Sequence, residues 1–173
     1  MVFTLVGMPG CGKSCMGRIL AGKLRMSQVD SDKLIEKRIG MKLHEFIDKN
    51  GNAAFTAVEE ATLLSVYNKP GKHLLLSTGG SAVYSEKGME HLKSLGKIVY
   101  LYCSYETIVK RLGDYSKRGI IMKPGQTLKD LYDERCELYK KYADITISCD
   151  GNDYARYQNI AIKTIKSVLA YEK

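Results

Sequence analysis

Five apolar residues, Val2 to Val6, run directly into Gly7-Met8-Pro9-Gly10-Cys11-Gly12-Lys13-Ser14, a complete G-x-x-x-x-G-K-[ST] pattern. That junction commits the chain to a strand, a glycine turn and a helix in immediate succession, because this arrangement aims successive backbone N–H groups at one point. A nucleotide polyphosphate fills such a point. Gly7, Gly10 and Gly12 let the backbone close around it, Lys13 reaches the outer phosphates, and Ser14 offers its hydroxyl to Mg²⁺. The helix expected over Lys13 to Arg25 turns its positive end toward the same anion. Cys11 lies inside the loop and Cys15 one turn into the helix, both small enough to pack closely there.

A chain of 173 residues fits one domain with a core of its own, and its five cysteines (Cys11, Cys15, Cys103, Cys136, Cys149) include no C-x-x-C and no nearby His at ligand spacing. They read as reduced thiols of a cytoplasmic protein, not as a disulfide framework or zinc site. No apolar stretch is long enough for a signal peptide or membrane span. The formal charge of +8 is spread along the chain without a basic run or tail, so small anionic substrates are expected and nucleic acid is not.

Short apolar runs alternate with helical periods, the pattern of an α/β parallel sheet covered by helices. Strands are expected at Val2 to Val6, Ser27 to Asp30, Leu74 to Thr78, Ile98 to Cys103 and Ile145 to Cys149. A last helix is expected over Asp153 to Ala170, where Tyr157, Ala161, Ile165 and Val168 recur at helical spacing. Residues 33–67 form a mainly helical insertion broken near Gly40 and at Lys49-Asn50-Gly51-Asn52. Residues 113–126 carry three glycines, one proline and three positive charges with little periodicity. Within a single phosphoryl-transfer domain over 1–173, these two segments would be the substrate-binding part and the lid.

Asp30-Ser31-Asp32 falls at the carboxyl end of the second strand, the edge at which open α/β sheets bind ligands. Phosphoryl transfer needs carboxylates there, one for the Mg²⁺ shell and one to take the proton of the attacking hydroxyl. Helix capping by Asp30 or Ser31 is the plainer alternative. Arg135 sits inside the helical apolar stripe of Leu128, Leu131, Tyr132, Leu138, Tyr139 and Tyr142 and needs an anionic partner, either a core acid or a ligand. Arg118 stands where a lid cation would close over a transferred phosphoryl group. Ser77-Thr78-Gly79-Gly80-Ser81 allows close backbone approach to a ligand, or serves as an ordinary strand exit.

The order and spacing of the phosphate loop, Asp30-x-Asp32, Phe55-x-x-x-Glu59-Glu60, Ser77-Thr78-Gly79-Gly80, Arg118-x-Ile120-Ile121 and Arg135-x-x-Leu138-Tyr139 resemble the shikimate kinase family over essentially the whole chain. The resemblance implies a three-layer P-loop fold of the nucleoside-monophosphate-kinase type, with five parallel strands in the order 2-3-1-4-5. It also implies ATP and Mg²⁺ as cosubstrates and phosphorylation of the 3-hydroxyl of shikimate; apart from the resemblance, a monomer is expected. On the matching positions, Gly7, Gly10, Cys11, Gly12, Lys13, Ser14, Cys15 and Arg118 would bind ATP, with Ser14 and Asp30 at the metal. Asp32, Gly79, Gly80 and Arg135 would hold the acceptor, and Lys13, Asp32 and Arg118 would be the catalytic residues.

Three positions depart from the family pattern, and they concern the acceptor site more than ATP. Thr56 replaces the arginine that follows the phenylalanine, Ser81 replaces the third glycine of G-G-G, and Gly119 replaces the lid proline. Loss of one charge-assisted contact weakens a carboxylate clamp by about 10- to 150-fold. Two other functions fit the same residues: a related kinase for another small hydroxylated acceptor (sugar acid, polyol or nucleoside), and a non-catalytic nucleotide-binding relative.

Overall fold

A computed structural model describes residues 1–113, 120–151 and 153–171. Five strands, β1 (Val2–Val6), β2 (Ser27–Asp30), β3 (Leu74–Ser77), β4 (Gly96–Tyr102) and β5 (Ile145–Ser148), form one sheet in the order β2-β3-β1-β4-β5. Every pairing is parallel. Successive side chains of a strand point to opposite faces, yet Val2, Phe3, Leu5 and Val6 are all fully buried. Helices must therefore cover both faces, which makes three layers.

The described helices are α1 (Lys13–Leu24), α2 (Ser31–Ile39), α3 (Leu43–Leu64), α4 (Glu86–Leu95), α5 (Tyr105–Leu112), α6 (Leu128–Tyr142) and α7 (Tyr154–Tyr171). Helix α1 packs on β3 and α7, and α3 packs on α4. Gly17 explains how closely α1 lies: a Cβ there would collide with the Ser77 hydroxyl, which itself donates to the Lys13 carbonyl at 3.2 Å. This contact fixes the start of α1, and with it the phosphate loop, against the sheet.

Boundaries differ from the sequence expectation in instructive places. Strand β4 begins at Gly96 and not at Ile98, because Gly96 pairs with Val2 so closely that any side chain would strike the Val2 backbone. The strand ends expected at Thr78 and Cys149 move back by one residue, although Thr78 N and Cys149 N still donate to Leu5 O and Tyr102 O. Helix α1 stops at Leu24, with Arg25 capping it in the left-handed conformation. The expected interruption near Gly40 is the left-handed cap of α2. The one at Lys49 to Asn52 is a kink at Gly51 (φ 80°) inside α3, which redirects its second half. In α7, Tyr157, Ala161 and Ile165 are buried, with Val168 packed at the margin. All five cysteines are free thiols, Cys15 alone being exposed. No helix among the described residues is long and apolar enough to cross a membrane.

Candidate active site

The phosphate loop begins where β1 ends. Gly12 caps α1 with φ 99° and no side-chain bond, leaving the first amides of the helix to a ligand. Gly7 is required for a different reason: a Cβ would lie 2.7 Å from Leu101 O and 2.9 Å from Cys11 Sγ. Lys13 is nearly buried, its ammonium donating to Gly7 O at 2.7 Å and Met8 O at 2.9 Å, so the cation lies in the mouth of the loop. Cys11 is buried beneath the loop with its N–H on Met8 O.

Asp30 caps a helix and also reaches the phosphate loop. Its Oδ1 accepts from Asp32 N at 3.1 Å and caps α2, while its Oδ2 accepts from the Ser14 hydroxyl at 2.8 Å. The second contact brings two hard oxygen donors together beside the loop, a set that suits Mg²⁺ completed by phosphate oxygens and water. Asp32 is half-buried. Burial, then the neighbouring Asp30 charge, pushes its carboxyl up to about 6, with Lys13 opposing and Glu36 assisting the rise.

A cavity of about 560 Å³ joins these groups to the acceptor end, its wall including Lys13, Asp32, Phe55, Gly79, Ser81 and Arg135. Arg135 is 1% exposed. It donates from Nε to Tyr84 OH (3.3 Å) and from Nη2 to Ile121 O (2.8 Å), with its guanidinium carbon 5.2 Å from the Tyr84 ring centre. Among the described residues no carboxylate lies within ion-pair distance of it. Of the two partners weighed, a core acid or a ligand, the described residues supply no acid: a carbonyl and a phenol contact the guanidinium, and neither neutralises its charge. Gly80 lets this guanidinium approach the loop, since a Cβ there would sit 2.8 Å from Pro9 Cδ and 2.9 Å from Arg135 Nη1. Tyr139 OH fixes Gly80 by donating to its carbonyl at 2.7 Å.

Gly79 lies between two acids, for a Cβ there would be 2.8 Å from both Asp32 Oδ1 and Glu59 Oε1. Sequence reasoning placed Glu59 in a motif without giving it a role. It is 2% exposed and accepts from the Ser81 hydroxyl at 3.0 Å. Burial pushes its carboxyl up to about 7, while the Ser81 hydrogen bond pulls it down, the Asp32 charge raises it and the Arg135 charge lowers it. Thr56, three residues earlier on α3, turns back on its own helix and donates to Asn52 O at 2.9 Å. From the far side Ile120 and Ile121 reach the cavity, and Asn52 holds their segment by donating to Met122 O at 3.2 Å. Arg118 and Gly119 lie outside the described residues.

A second cavity, of about 240 Å³, meets the first at Gly10, Gly12 and Cys15. Its wall carries Arg111 and Tyr154, neither of which stood out in sequence. Arg111 Nη2 donates to Cys149 O and Gly151 O, both at 2.9 Å, and to Tyr157 OH at 3.2 Å, and the guanidinium stacks 5.4 Å from the Tyr154 ring centre. A flat cation and an aromatic ring beside a phosphate loop offer surfaces to a planar base. Only the meeting of α5 with α7 reveals them.

A family model described as shikimate kinase matches residues 9–168. The chain belongs to the shikimate kinase family. It is 37% identical over 146 residues to a shikimate kinase of Sulfurihydrogenibium sp. (strain YO3AOP1), covering 84% of this chain and 86% of that protein. The likeness to the shikimate kinase of Vibrio parahaemolyticus is 35% over 164 residues, 94% of each chain. Among solved structures, the shikimate kinase from Acinetobacter baumannii in complex with shikimate superposes with a TM-score of 0.81 at 32% identity, over 98% of this chain and 93% of that one. Membership accords with the phosphate loop and sheet order, and with kinase activity that draws on ATP.

Proposed function

We propose that this chain transfers the γ-phosphoryl group of ATP to the 3-hydroxyl of shikimate. The observation that carries this reading is one cavity whose wall holds Lys13, Asp32 and an Arg135 with no carboxylate partner among the described residues. The base of ATP lies against Arg111 and Tyr154, the phosphates in the loop from Gly7 to Ser14, and the acceptor between Asp32, Gly79, Gly80 and Arg135. Arg135 pairs with the acceptor carboxylate. Asp32 accepts the proton as the acceptor oxygen bonds to the γ-phosphorus; the bond from that phosphorus to the β–γ bridging oxygen breaks, and ADP leaves.

Lys13 and Arg118 stabilise charge on the transferring oxygens. Ser14 and Asp30 are the side chains that would hold Mg²⁺, which would supply positive charge to offset that of the outer phosphates. The helices of 33–67 shape the acceptor end, and 113–126 acts as the lid. An ionised base is required, so kcat/KM for the acceptor rises with pH through about 6 and then levels. ADP release measured with shikimate beside a panel of sugar acids, polyols and nucleosides tests the assignment. Preference for an uncharged acceptor would sink it, and absence of turnover with any acceptor would favour a non-catalytic relative.

A further inference from the structure

A buried guanidinium and a buried carboxylate close enough to feel each other's charge normally pair. Here they do not. Arg135 feels the charge of Glu59 but bonds instead to Tyr84 and Ile121, while Glu59 is held by Ser81. The position of Thr56 makes the arrangement more exposed to failure. Residue 56 precedes Glu59 by three on α3, a spacing at which a cation would face it, but Thr56 is neutral and bonded to Asn52. Ser81 is therefore the hydrogen-bond donor to Glu59 among the described residues. Its own backbone is unstrained (φ −86°, ψ −12°), so nothing there demands glycine and a hydroxyl fits.

Resting on the shikimate kinase reading above, we propose that Ser81 is a specificity-determining residue for the acceptor: its hydroxyl anchors Glu59 and so leaves the Arg135 guanidinium free for the acceptor carboxylate. Without that anchor Glu59 turns to Arg135 and competes with the substrate for it. Ser81 thus acts through Glu59 as a positioning residue, in the place a cation at position 56 would otherwise occupy. The charged groups facing Glu59 from other elements are Asp32 on α2 and Arg135 on α6. Glu60, beside it on α3, is taken by the Ser85 hydroxyl at 2.7 Å.

A mutant cycle tests this with steady-state kinetics for shikimate and ATP. Ser81→Ala is expected to raise the shikimate KM about tenfold, the loss typical of one hydrogen bond to a charged group, with kcat and the ATP KM changed by less than about threefold. Ser81→Thr, which keeps the hydroxyl, should stay near the unmodified enzyme. Adding Glu59→Gln to Ser81→Ala should recover most of the loss, because a neutral amide does not clamp Arg135. A structural role for Ser81 would show no such recovery. An unchanged KM in Ser81→Ala, or a double variant as poor as the single one, overturns the inference alone. Failure of the unmodified protein to phosphorylate shikimate overturns both the inference and the reading beneath it.

Discussion

The two ends of the main cavity are built by different means. At the phosphate end, Gly7, Gly12, Lys13 and Ser14 come from eight consecutive residues, and their ligand-binding groups are placed by backbone conformation. At the acceptor end, Asp32, Phe55, Gly79, Ser81 and Arg135 arrive from α2, α3, the exit of β3 and α6, and their placement depends on side-chain contacts. A backbone device tolerates little variation, because each glycine answers a steric demand. A side-chain device can exchange partners so long as buried charges stay satisfied. Two of the three departures from the family pattern, Thr56 and Ser81, lie at this second end, and the third, Gly119, lies outside the described residues.

Substitutions can break or sharpen this contrast. The largest effect is expected for Asp32→Asn, which should lower kcat by about 10²- to 10⁴-fold with the ATP KM nearly unchanged and should remove the rise in rate through pH about 6. A parallel loss of ATP affinity, read by isothermal titration, would mean that the two ends are not separable. Lys13→Ala should cost about 10²- to 10³-fold in kcat while leaving the thermal midpoint close to that of the unmodified protein. Full turnover at saturating ATP in that variant would reject the phosphate site.

Arg135→Ala probes the acceptor end alone. It should raise the shikimate KM by about 10- to 150-fold and leave the ATP KM unchanged. A fall in stability without a change in KM would make the arginine a core element after all. Thr56→Arg is the mildest test: a second guanidinium near Glu59 should lower the shikimate KM by about tenfold or less. A higher KM would mean that an unpaired cation had entered a pocket suited to a neutral acceptor.

The phosphate loop was legible because its parts are neighbours in sequence, and the central strands β1, β3 and β4 because both of their faces are largely buried. Arg135 was visible as a charge inside an apolar stripe, but whether it met an acid was not, since that depends on where α3 and the 120–126 segment come to rest. The pairing of Glu59 with Ser81, 22 residues apart, and of Arg111 with Tyr157, 46 apart, left no periodic trace. Gly96 was passed over for a simple reason: glycine reads as a breaker, and here it is the residue that lets β4 lie against Val2.

The strand order is itself a ruler for the reaction. Asp32 and Gly79 follow β2 and β3, the phosphate loop follows β1, and Arg111 and Tyr154 follow β4 and β5. On the proposed assignment, walking across the sheet edge would therefore visit acceptor, phosphates and base in turn, at roughly 4.8 Å per strand. A single molecule tethering both substrates would have its tether length set by that spacing, with β1 lying beneath the linker.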